Sequence, residues 1–150
     1  MTTDLALQGI IAEMKTAATA AGFVKVEEVK INEDDTADTE VPAMYIKLDK
    51  IEYGSIDSGQ FLIDTVLEKY FFSLLIITNN STNPISDLKT LQDNFLTQFL
   101  NASAMCDYNT QRKIELDNST LTNDRDLYSK VGGESTILSL TIENINNFKT

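Results

Sequence analysis

The run Tyr70-Phe71-Phe72-Ser73-Leu74-Leu75-Ile76-Ile77 constrains this fold more than any other feature of the sequence. All but Ser73 are apolar, so the segment lacks the wet face of an ordinary alternating strand. It predicts a strand over roughly Thr65 to Thr78, covered on both sides. A polar turn, Asn79 to Pro84, follows, and then a segment with one apolar face, Ser86 to Leu100. Ser86 is the expected N-cap of that helix. Leu88, Leu91, Phe95, Leu96 and Phe99 are its expected buried stripe. One helix covers one face of the strand. The other face needs a folded-over hairpin or a neighbouring copy of the chain.

The flanking sequence supplies partners for that strand. Leu7, Ile10, Ile11, Met14 and Ala18 recur at helical spacing, and Gly22 closes the segment, so a first helix is expected from about Asp4 to Ala21. Phe23 to Ile31 reads as a strand whose phase slips at Glu27-Glu28, which predicts a bulge or bend there. Pro42 to Ile51 reads as a strand with Met44, Ile46 and Leu48 inward and Tyr45, Lys47 and Asp49 outward. Between them, Asn32 to Glu40 reads as an acidic hairpin tip, because its spacing lacks the central glycine and closing glutamate of a calcium loop. Gly54 to Gly59 is expected to be a loop.

Two further strands are expected, over Thr110 to Leu116 and over Ser135 to Ile145, where Leu138, Leu140 and Ile142 share a face. The polar stretch Asp117 to Glu134 between them is either a flexible tip or a β-arm that orders on a partner. The element order is α-β-β-β-α-β-β. It predicts one α+β domain over residues 1–150, a mostly antiparallel sheet with two helices on one face, and long hairpin loops at about 32–41 and 117–134.

Composition removes several function classes. The chain has 150 residues, 42% of them hydrophobic, which suits a folded single domain. Its net charge is −11 and its twelve basic residues are scattered, which argues against tight binding of free duplex DNA. There is no histidine, the usual general base and commonest metal ligand. The single cysteine, Cys106, allows no internal disulfide and reads as an inert thiol, with Arg112 the nearest group in sequence that could activate it. Gly132-Gly133 lacks the lysine and helix of a phosphate loop. Acid pairs occur, at Asp124 and Asp126 around Arg125 and at Asp34 beside Asp35, but close acids are expected in a chain this acidic. No enzyme, cofactor or metal site is expected. The start, Met1 to Leu5, has no signal-peptide pattern, and no apolar run approaches the ~20 residues of a membrane span, so a soluble cytoplasmic product is expected.

The order of segments carries a resemblance. A helix ending in "AAGF" leads into a strand, then "VPAMYIKL", then "KYFFSLLIIT", then the helix "SDLKTLQDNFLTQFL" and two closing strands. This layout resembles the tail terminator (tail completion) proteins of long-tailed bacteriophages. The resemblance implies a hexameric ring at the head-proximal end of the tail tube, assembled in the host cytoplasm and carried in the virion. Its implied partners are copies of itself, the tail tube protein and a head–tail connector protein. DNA passes the lumen without tight binding, and no membrane is involved. An acidic lumen would repel phosphates and let DNA slide; the plainer reading is that acidity keeps the chain soluble. Two alternatives stay open: another connector subunit of the neck, and a small acidic binding module unrelated to phages. The candidate interface residues are Asp34, Asp35, Asp38 and Glu40 on the acidic tip, and Arg125, Asp126, Tyr128 and Lys130 on the arm.

Overall fold

The computed structural model describes residues 3–28, 40–54, 65–78, 82–101, 113–123 and 134–147. These form α1 (Thr3–Ala20), β1 (Lys25–Glu28), β2 (Ala43–Gly54), β3 (Thr65–Thr78), α2 (Pro84–Leu100), β4 (Lys113–Leu116) and β5 (Glu134–Asn147). The expected α+β class and element order hold. The strands make one mixed sheet in the order β1-β2-β3-β5-β4, antiparallel except for β1 against β2.

The long apolar run sits where its composition demands. β3 pairs with β5 along its whole length, from Thr65↔Asn147 to Thr78↔Glu134, and with β2 on its other side. Pairing on both edges and apolar contacts on both faces explain why it shows no wet face. Tyr70, Phe72, Leu74 and Ile76 point towards the helices and are fully buried. They meet Met44 and Ile46 from β2 and Leu138, Leu140 and Ile142 from β5. Each fully buried side chain of this size stabilises the fold by about 1.5–3 kcal/mol relative to exposure.

Both helices cover that same face. α1 contributes Ile10, Met14, Ala17 and Ala18, and α2 contributes Leu88, Phe95 and Phe99. The Phe95 and Phe99 rings stack with centroids 5.5 Å apart, one helical turn from each other. α1 stops at a Schellman turn: Phe23 N–H reaches Ala18 O at 3.1 Å, Gly22 N–H reaches Thr19 O at 3.2 Å, and Gly22 takes φ +105°. Phe23 then drops into the core beside Ala18. Lys15 of α1 pairs with Glu28 of β1 at 2.9 Å.

Several expectations are corrected. α2 begins at Pro84 with Asn83 as N-cap, so Ser86 lies inside the helix rather than capping it. Proline at the first helical position needs no N–H partner and already has helical φ, which places the cap three residues before Ser86. β1 is described from Lys25 to Glu28, and Val29 and Ile31, on which the expected slip rests, lie outside the described residues; a register shift that was not expected falls between Leu48 and Lys50 of β2. That bulge leaves Asp49 outside the residue-by-residue register with β3 and shifts the phase, so Leu48 and Ile51, three residues apart, both reach the helix-side core. β1 and β2 run parallel, with Lys25 beside Ala43 and Glu28 beside Ile46, so they are not the arms of a hairpin. Val29, Ile31 and most of the acidic stretch lie outside the described residues.

The polar stretch after β4 starts as an ordered strap on the edge of β5. Asp117 N–H donates to Ser139 O at 2.9 Å. The Asn118 amide accepts from Ser139 N–H at 2.5 Å and donates to Ile137 O at 2.9 Å. Asn123 accepts from Ser135 N–H at 3.1 Å and donates to the Glu134 carboxylate. Two side-chain amides thus stand in for the strand that β4 is too short to provide.

Candidate functional site

With both helices on one side, the sheet's other face is set by the odd-numbered residues of β3 and their cross-strand partners. It falls into two zones. At one end, Ala43, Tyr45 and Ile77 pack together, with Val41 and Leu75 against them. Tyr45 was expected to face solvent, yet it is only 4% exposed. A period of two assigns one core face and one wet face, and that assumption fails where a second apolar cluster occupies the reverse of the sheet. Leu75 pairs directly with Ile137, which is 38% exposed, so the apolar row continues outwards onto β5.

The other zone is polar. Ser73 donates to the Asp49 carboxylate at 2.5 Å, and Lys47 lies 3.9 Å from the same group. Lys50 spans the next row, with its ammonium 4.5 Å above the Phe71 ring and 3.0 Å from Glu52. Its alkyl stem covers part of a ring that would otherwise stand bare. Lys69 pairs with Glu143 at 3.4 Å, and Thr141 donates to Asp117. On β1, Lys25 pairs with Glu27 at 2.9 Å. That hydrogen bond, and then the charge of Glu27, holds the Lys25 ammonium above its ordinary pKa, with Tyr45 and Glu40 adding smaller contributions. By register, Glu115 of β4 belongs to this face as well, opposite Thr141. Among the described side chains the face carries four lysines (25, 47, 50, 69) and six carboxylates (27, 49, 52, 115, 117, 143).

A different cluster lies on the helix side, at the far end of β3. Glu68 is fully buried and accepts a 2.7 Å hydrogen bond from the Tyr70 hydroxyl. Asn144 sits opposite Glu68 on β5 and also bonds the hydroxyl. Burial, and secondly the bond to Glu68, raises the Tyr70 pKa well above tyrosine's ordinary value. Among the described residues no group of three or more His, Cys, Asp or Glu is placed to hold a metal. No helix of the described residues is long and apolar enough to cross a membrane.

Of the expected interface residues, Glu40 is described: it is exposed, immediately before the Val41–Pro42 bond, and close enough to Lys25 to act on its charge. Asp34, Asp35, Asp38, Arg125, Asp126, Tyr128 and Lys130 lie outside the described residues, as do Asp124 and Cys106. Sequence reasoning placed its named candidates on loops; it marked the other face of β3 as needing a hairpin or a neighbouring copy but named no residue there. The available signal was the lysine in each polar gap of the strands, at 47, 50 and 69. The sequence matches no protein-family model, and none of the curated proteins matches it either.

Proposed function

We propose that this chain is a structural subunit of a phage-type tail, a tail terminator that closes into a ring on the head-proximal end of the tail tube and joins it to the head. The observation that carries this reading is the arrangement of its layers. Two helices are packed on one face of a five-stranded sheet in the order α-β-β-β-α-β-β, and they leave the other face patterned with apolar residues and paired charges. The order is the one on which the resemblance to tail terminators rests. A half-apolar face opposite a complete core suits a subunit that meets other subunits. The net charge of −11 suits a ring through which DNA passes without sticking, because a negative lumen repels phosphates.

Light scattering and negative-stain imaging of the purified protein, alone and mixed with tail tubes, test the reading. Rings on tube ends, and tubes that stop growing when the protein is added, are the expected result. A strict monomer that neither decorates tube ends nor limits tube length refutes it.

A further inference from the structure

We infer that the exposed, charged part of the sheet's open face, with Lys47, Lys50 and Glu52 of β2 and Ile137 of β5, is the surface on which a second copy of this chain docks, while Ala43, Tyr45 and Ile77 on the same face are already buried; the inference rests on reading the chain as a self-assembling subunit. Copies that each carry a charge of −11 repel one another, so the contact must form where that charge is locally absent. The open face is such a place. Its four lysines are each beside a carboxylate of the same face, and Glu115 and Asp117 add two more carboxylates, a net charge of about −2 against −11 for the chain. These charges are also already paired within the face, as Lys25–Glu27, Lys47–Asp49, Lys50–Glu52 and Lys69–Glu143. Alternating opposite charges form a pattern that can meet a copy of itself without bringing like charges together.

Apolar surface lies beside the pairs. Leu75 and Ile137 face each other across β3 and β5, with Ile137 38% exposed, and Phe71 lies one row beyond Ser73. The partner is a second copy rather than a nucleic acid, which would need an excess of lysine over carboxylate that this face lacks. Docking on the face is also favoured over strand addition at β5, because Asn118 and Asn123 already occupy the backbone groups there. In a closed ring the face forms one side of each subunit contact.

The test is a matched pair of charge reversals, Lys47→Glu on the open face and Lys89→Glu on α2, with Ile137→Asp as a third variant. The Lys47 and Lys89 side chains are 59% and 65% exposed, and each reversal makes the chain two units more negative. Sedimentation of each variant over a range of concentrations reads the association constant, and circular dichroism confirms folding. Lys47→Glu and Ile137→Asp are expected to weaken association by about tenfold or more, and Lys89→Glu by about twofold or less. If Ile137→Asp does not fold, the Lys47 and Lys89 pair decides alone. Equal weakening by both reversals overturns the inference. So does wild-type association in the Lys47→Glu variant, although rings on tube ends would then still uphold the function proposed above. A wild-type chain that is monomeric alone and absent from tube ends removes both.

Discussion

Replacing Tyr70 with phenylalanine removes one oxygen from the most enclosed polar contact in the described structure. The hydroxyl donates to Glu68 at 2.7 Å, and both residues are fully buried. A hydrogen bond to a charged acceptor stabilises by about 1.5–3 kcal/mol, and a buried carboxylate that loses a donor is not compensated by water. Tyr70→Phe should therefore cost about 2–3 kcal/mol, a fall in Tm of roughly 4–12 °C for a domain of this size. Glu68→Gln keeps an acceptor oxygen for the hydroxyl and removes the cost of burying a charge, so it should cost less. The two residues act as a pair, and the double variant should be more stable than the sum of the single losses implies, with a coupling on the order of 1–2 kcal/mol. The pH dependence has a definite sign. Tyr70 is held above tyrosine's ordinary value of 10.0, so the folded state favours the neutral phenol. That contribution is fully present below pH 10 and is lost as pH rises towards the folded value. Wild type should shed stability above about pH 10 that Tyr70→Phe never had. Urea denaturation at fixed protein concentration, repeated from pH 7 to 11, measures all of these. Additive single losses to within about 0.5 kcal/mol, or parallel alkaline curves for wild type and Tyr70→Phe, would refute the reasoning.

Three further substitutions have expected outcomes. Phe95→Ala empties a fully buried site and breaks the stack on Phe99, so it should cost about 3–5 kcal/mol in chemical denaturation. Asn118→Ala removes both amide bonds to β5 and should cost about 1–2 kcal/mol, with faster hydrogen exchange at Ser139 N–H as its local signature. Gly22→Ala meets no atom within 4 Å but must adopt φ +105°, so it should cost about 1 kcal/mol from backbone strain alone, with an otherwise unchanged circular dichroism spectrum.

How much the sequence revealed depended on the length and regularity of each segment. β3 is found at Thr65–Thr78 as expected, because a continuous apolar run bounded by polar residues has few alternatives. The stripes of α1 and α2 were legible for the same reason. β1 was found within the expected strand, but its parallel direction was not legible, because a strand followed by an acidic stretch looks like half of a hairpin. The bulge at Asp49 left a trace, the three-residue step from Leu48 to Ile51, but a shorter strand would have accounted for it equally well. Tyr45 was assigned to the wrong environment because alternation identifies a face without saying what covers it. Asn118 and Asn123 gave no signal at all, since an amide that mimics the backbone looks like any loop asparagine. The charged part of this face was hidden for a related reason: its lysines occur singly along the sequence and gather only when β1, β2 and β3 are laid side by side.

The position of β5 has a consequence for synthesis. It is the last of the described strands in sequence, yet it occupies the middle of the sheet, between β3 and β4. Every β3–β5 pair joins residues from Thr65–Thr78 to residues from Glu134–Asn147, so the sheet closes only through contacts distant in sequence. A nascent chain that has not yet reached residue 134 carries β3 with an entire edge and much of its apolar surface unpaired. Such topologies fold slowly, because the entropy of a long loop is lost before its contacts form. During that interval the segment that specifies the fold is also the one most able to pair with the wrong chain. The helix that follows β3 emerges first, and its early docking over Phe72 and Leu74 would shield one face of the strand while the chain waits for the other half of its sheet.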